Sequence, residues 1–178
     1  MRLNNKHIVI ACDGGAATGK STGAKMISKK YKLKFLSSGL LYRYAAFLTL
    51  KHKPKKKLDF IDKKFKRFNY NQLKKINLHT PLISEHSSLI AKNEKIRKIL
   101  KKYQINFSKK NKNCCIEGRD ISTKILPKSD VKFFFKCNLN IAAYRRYKEL
   151  KKINPKIKLK SVKKALRIRN ISDIKRKN

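Results

Sequence analysis

Gly14-Gly15-Ala16-Ala17-Thr18-Gly19-Lys20-Ser21 sets small residues, a lysine and a hydroxyl at the spacing G-x-x-x-x-G-K-[ST]. Small residues let successive backbone N–H groups curl around an anion and form a concave nest of donors. A helix opening at Lys20 adds the positive end of its dipole to that nest. Lys20 is then placed to reach the terminal phosphates of a nucleoside triphosphate. Ser21 offers its hydroxyl to Mg²⁺, and Thr22 stands one step further into the helix. The expected chemistry is phosphoryl transfer from ATP, with Gly14 to Thr22 as the ATP-binding loop.

Three further clusters bear on the acceptor. Ser37-Ser38-Gly39-Leu40-Leu41-Tyr42-Arg43 follows a short strand-like run, Lys34 to Leu36. Carboxyl ends of parallel strands line ligand crevices, so Ser38, Tyr42 and Arg43 could hold a ribose and a phosphate. An ordinary strand–helix turn fits those residues as well. Cys115-Ile116-Glu117-Gly118-Arg119-Asp120 closes another apolar run. There an acid can assist Mg²⁺ or orient a nucleophile, Arg119 offers a forked donor to phosphate, and Asp120 can accept from an exocyclic amine. A surface ion pair is the competing reading. Arg145, Arg146, Arg167, Arg169 and Arg176, with Asp173, occupy the last two helical segments of a chain otherwise rich in Lys. A guanidinium closing over the transferred group is worth ~10³ to 10⁵ in rate, although a solvated basic helix would look the same.

The elements that must position these groups alternate between two periodicities. His7 to Cys12, Lys34 to Leu36, Asn113 to Glu117 and Val131 to Cys137 read as buried strands. Lys20 to Lys30, with Ala24 and Ile27 inward and Met26 flanking, reads as a helix. So does Leu40 to Lys51, with Leu41, Ala45 and Leu48 on one face. Lys53 to Ser84, bracketed by Pro54 and Pro81, reads as an inserted, partly irregular segment. Glu85 to Tyr103 reads as one helix with Leu89, Ile96, Ile99 and Leu100 in the core. Asn140 is the expected cap of a helix running to Leu150, and a last helix begins near Leu159. The sum is an α/β fold with a parallel sheet.

Composition sets the remaining bounds. In 178 residues, 49 Lys plus Arg face 10 Asp plus Glu, a formal net charge of +39. Such a field attracts polyanions, yet the Lys is spread along the whole chain with many Asn and Ile, as a solvated coat would be. Non-specific polyanion binding follows from it, and no specific nucleic acid is implied. Cys12, Cys114, Cys115 and Cys137 fall in apolar runs without Cys-x-x-Cys spacing, so buried strand thiols are expected rather than a metal site. No apolar run approaches the roughly 20 residues that span a bilayer. A soluble, cytoplasmic protein is expected.

Taken in order, the four clusters resemble the bacterial-type cytidylate kinases along nearly the whole chain. Members of that family read strand-Asp-Gly-x-x-x-x-Gly-Lys-[Gly/Ser]-Thr, matched by Asp13 to Thr22. Their Asp-[Ser/Thr]-Gly-x-x-Tyr-Arg is matched by Ser37 to Arg43, their Gly-Arg-Asp-[Ile/Met]-Gly-Thr by Gly118 to Thr123, and their Arg-Arg-x-x-x-Leu by Arg145 to Leu150. The resemblance implies a single P-loop kinase domain over 1–178, a three-layer sandwich with the 53–84 segment in the acceptor-binding insert and 145–176 in the lid. It implies ATP and Mg²⁺, and CMP or dCMP as acceptor, acted on by a monomer.

The resemblance also assigns roles. Ser38, Tyr42 and Arg43 would contact the acceptor nucleotide, Ser88, Arg97 and Asp120 the cytosine edge, and Arg119 the phosphate. Arg169, Asp173 and Arg176 would lie on the substrate side, with Arg145 and Arg146 in the lid over ATP. Lys20, Arg119, Arg145, Arg146 and Arg169 would form the catalytic set. Ser37 and Glu117 depart from the family's two Asp residues, and Ser122 from its glycine. The family's last strand and helix have no counterpart before Asn178, so the expectation is either a fragment or a fold with an edge strand missing. UMP or AMP as acceptor, a nucleic-acid-binding protein and a chain that binds nucleotide without turnover are the alternatives.

Overall fold

The computed structural model describes residues 7–174. Strands β1 (Val9–Gly14), β2 (Lys34–Ser37), β3 (Cys114–Gly118) and β4 (Val131–Phe135) form one parallel sheet in the order β2-β3-β1-β4. The central strand alternates its side chains between two cores, as a pleated strand must. Ile10 and Cys12 join Cys115 beneath α1 (Lys20–Lys30), packed on Ala24 and Ile27. Ala11 points the other way, joining Leu36, Cys114 and Ile116 in the larger core.

That larger core is closed by four helices: α2 (Ser38–His52), α3 (Lys57–Lys66), α4 (Pro81–Ile90) and α5 (Glu94–Lys110). Helices on both faces complete three layers, the α/β arrangement expected from the alternating periodicities. A third cluster joins α6 (Leu139–Lys151) to α7 (Leu159–Ile174). Ala142, Ala143, Val162 and Leu166 pack there with Ala16 and Ala17 of the glycine-rich loop.

Several expectations need correction. The 53–84 segment is largely ordered: α3, a 3₁₀ turn (Tyr70–Lys75) and the first turn of α4 fill it, with Ile61, Phe65, Leu73 and Leu78 buried. The Lys-rich background masked an amphipathic i, i+4 pair, Ile61 and Phe65. Glu85 to Tyr103 is two helices, because Asn93 Oδ1 accepts from Ile96 N at 3.1 Å and starts a new one. Leu89 lies on the outer face of α4 and is 55% exposed.

The cap of α6 is Asn138, whose Oδ1 accepts from Asn140 N, and not Asn140. β4 ends at Phe135 and is an edge strand among the described residues, and Phe133 and Phe134 are exposed instead of buried. Cys137 therefore lies beyond the strand and is only half-buried, whereas Cys12, Cys114 and Cys115 are buried as expected. All four thiols are free, and Cys12 Sγ lies 3.7 Å from Cys115 Sγ. No helix among the described residues is long and apolar enough to cross a membrane.

Leu100 ties α5 to the sheet and is fully buried. Leu100→Ala leaves a cavity the surrounding helices cannot close, so urea unfolding should show a loss of about 3 kcal/mol.

Candidate active site

β1 carries Asp13 and Gly14 to the carboxyl edge, and residues 15–19 turn back before α1 begins. A Cβ on Gly14 would lie 2.6 Å from the Phe135 carbonyl oxygen, so only glycine fits beside β4. Two loop residues are left-handed, Ala17 at φ 57° and Gly19 at φ 87°. Glycine adopts that region freely, while for Ala17 it costs roughly 1 kcal/mol. Packing of Ala16 and Ala17 against α6 and α7 offsets that strain. Left-handed residues in such a loop turn N–H groups inward and make the anion nest.

Lys20 occupies the floor of this loop. Its Nζ donates to the Gly15 carbonyl at 3.3 Å, and Thr18 Oγ1 donates to the same oxygen at 3.1 Å. Lys20 Nζ also faces Glu117 Oε2 at 3.7 Å, with the two side chains 14% and 3% exposed. Burial lowers the Lys20 pKa. Glu117 works against that effect, and the nearby Arg119 and Arg169 reinforce it. Glu117 Oε1 accepts a hydrogen bond from Ser37 Oγ, and Ser37 N donates to Tyr70 Oη at 2.8 Å. Ser21 and Thr22 are exposed in the first turn of α1.

α7 lies across the loop from the other side. Asp173 forms an ion pair with Arg119, both side chains largely buried. Asn170 Oδ1 lies 3.2 Å from where a Gly15 Cβ would stand. Arg145 Nη1 is 3.9 Å from the corresponding point on Gly19 and 4.0 Å from Cys137 Sγ.

The acceptor-side residues gather between α2, α4, α5 and the turn after β3. Arg43 Nη1 donates to the Leu78 carbonyl at 3.0 Å and to Ser84 Oγ at 2.7 Å. Burial, then the neighbouring Arg146, disfavours the Arg43 charge, with Glu149 opposing. Arg97 Nη2 bonds Asp120 Oδ2 at 2.7 Å. Ser38 is buried behind Gly118, and Tyr42 packs on the main core. Ser88 Oγ donates to the Ser84 carbonyl at 3.2 Å.

The structure thus brings Lys20, Arg119, Arg169 and Asp173 together beside the Gly14 to Thr22 loop, and sets Arg97 on Asp120. It separates the adjacent Arg145 and Arg146. Arg145 lies against the phosphate loop, while Arg146, bonded to Glu149 at 2.7 Å, acts on Arg43. Arg167 is solvent-exposed, and Arg176 lies outside the described residues.

Sequence reasoning left Asp13, Ser84 and Asn170 out of the site and did not foresee the bond between Ser37 and Glu117. Asp13 had a signal, since an acid ending an apolar strand just before a glycine loop is buried by its position.

A protein-family model described as "Cytidylate kinase" matches residues 10–178. The chain belongs to the cytidylate kinase family. A cytidylate kinase of Bartonella tribocorum is 37% identical over 97% of this chain and 80% of its own length. One of Rickettsia akari is 34% identical over 97% and 78%, and one of Mesomycoplasma hyopneumoniae 32% identical over 97% and 80%.

Burial raises the Tyr70 pKa from 10.0 to about 12, the Ser37 N–H opposes that rise, and Glu117 adds to it. A folded pKa above the unfolded one stabilises fully below the lower value and is lost as pH climbs through the higher. Stability of the wild type should therefore fall between pH 10 and about 12 as Tyr70 ionises. Tyr70→Phe, compared by urea unfolding across that window, should show a flatter decline.

Proposed function

We propose that this kinase transfers the γ-phosphoryl group of ATP to CMP or dCMP, giving ADP and CDP or dCDP. The observation that carries the reading is the meeting of Lys20 with Arg119 and Arg169 at the junction of a phosphate loop and a base-reading turn. Like charges collect there because the ligand is expected to be the counter-charge.

The attacking phosphate oxygen of a nucleoside monophosphate is already anionic near neutral pH, so a general base contributes little. Positioning and charge neutralisation then supply most of the rate. In this reading the nest at Gly14 to Gly19 cradles the donor phosphates and Lys20 follows the charge moving on to the bridging oxygen. Arg119 and Arg169 hold the transferred group between donor and acceptor, and Arg145 closes from the lid. Arg43 takes the acceptor phosphate, with Arg146 behind it. Ser38 and Tyr42 line the ribose side. The insert at 53–84 and the lid at 145–176 exclude water when both ligands are bound.

Mg²⁺ suits the donors present. Ser21 supplies an exposed hydroxyl, and Glu117 Oε2 is buried without a hydrogen bond among the described residues. A hard cation with one or two protein oxygens completes its shell with water and phosphate. When bound it would neutralise charge on the β- and γ-phosphates.

Base choice falls to Asp120, whose Oδ2 is held by Arg97 and whose Oδ1 would accept from the cytosine 4-amino group, and to Ser88. UMP carries a carbonyl at that position, which would face the carboxylate and leave it unpaired. A buried polar group without its partner is a strong basis for rejection.

Lys20→Ala should reduce kcat by at least about 10³ while the circular dichroism spectrum stays native. A coupled ADP-release assay on CMP, dCMP, UMP and AMP should rank the cytidine nucleotides first; equal rates on AMP would sink the reading. Asp120→Ala should lower kcat/KM for CMP about 10²-fold and for UMP much less.

A further inference from the structure

Asp13 is the last residue before the glycine loop and is 2% exposed. Its Oδ1 accepts from Ile121 N at 2.8 Å. Its Oδ2 accepts from Ser122 N at 2.7 Å and from Ser122 Oγ at 2.6 Å. These donors open the short π-helical turn Ile121–Ile125, which follows Arg119 and Asp120 directly. The carboxylate therefore caps an element from another strand, satisfying N–H groups that the turn itself leaves over. The β-ladder sets Asp13 opposite Gly118, so the reach across is short and fixed.

We propose that Asp13, with the Ser122 hydroxyl as its third donor, is a positioning residue. It locks the Arg119–Asp120 turn to the phosphate loop and so sets the distance between the acceptor phosphate and the γ-phosphate. The proposal rests on the cytidylate-kinase reading. Asp13 touches neither nucleotide in it, and acts by placing the residues that do. Three charge-assisted bonds to a buried carboxylate make a stiff link. Gly14 on one side and Arg119 on the other leave little chain over which an error could relax. Ser122 has a specific part, because a residue without a hydroxyl would leave only the two backbone donors.

The test uses the whole chain with Asp13→Asn, Ser122→Ala and the double variant. Asp13→Asn replaces one acceptor by an amide donor that faces the Ser122 N–H. A misplacement on the ångström scale costs about 10² in rate, so kcat should fall by that factor. KM for CMP should rise about 5-fold, while ATP affinity, measured by displacement of a fluorescent ATP analogue, should change less than about 2-fold. Ser122→Ala should lower kcat about 5-fold and add nothing in the Asp13→Asn background, the mark of two residues acting through one link.

Unchanged kcat in Asp13→Asn would overturn the proposal. So would equal losses of ATP and CMP affinity, which mark general loosening, or additive effects of the two substitutions. If Asp13→Asn does not fold, Ser122→Ala decides by the same split between kcat and ATP affinity. A wild type without CMP-dependent ADP release would instead overturn the reaction itself.

Discussion

Two carboxylates buried at the carboxyl edge of the sheet govern the rest of the site. Asp13 is the penultimate residue of β1 and Glu117 lies on β3 in register with the preceding Cys12, both nearly sealed from solvent. An ionised carboxylate in that position is destabilising unless nearby donors surround it. Asp13 draws in the turn after β3, and Glu117 draws in Ser37 from β2 and Lys20 from α1. Three loops from different parts of the chain are thereby held in one frame. The sheet provides the rigid base, and the buried charges decide which loops must come to it.

The cations follow from that frame. Burial is the main cause of the lowered Lys20 pKa; Glu117 opposes it, and the neighbouring Arg119 and Arg169 add to it. Ala16 and Ala17 tie the loop to the helical pair, because their methyl groups belong both to the loop and to the small core between α6 and α7. Movement of the helical hairpin must be felt at the nest.

Much of this was legible from residue order. The loop at Gly14 to Thr22 announces itself because its chemistry demands a fixed spacing, and α1 has the boundaries its apolar stripe suggests, while α2 starts at Ser38, two residues before the Leu40 expected. The 53–84 insert was opaque because each turn shows one or two apolar residues among lysines. Its helices are held by contact with α2 and α5, not by their own pattern. The break at Asn93 was hidden because Glu85 to Tyr103 keeps one hydrophobic rhythm through it, and only the cap geometry reveals the change. Pairings across strands, such as Ser37 with Glu117 or Asp13 with Ser122, depend on register and cannot be read from spacing. β4 misled because an apolar run says nothing about which neighbours it will have.

The exposed edge strand has a colloidal consequence. Phe133 and Phe134 lie open on β4, between Lys132 and Lys136, on a molecule of net charge +39. Flat apolar edges invite strand-to-strand association between copies, and flanking lysines are a common guard against it. Mutual repulsion is the guard that works at a distance, and its range shrinks to about 10 Å at 0.1 M salt. Dispersion in dilute buffer and crowding in concentrated salt thus pull the same surface in opposite directions. Ionic strength is as much a variable of this protein's solubility as of its affinity for phosphate.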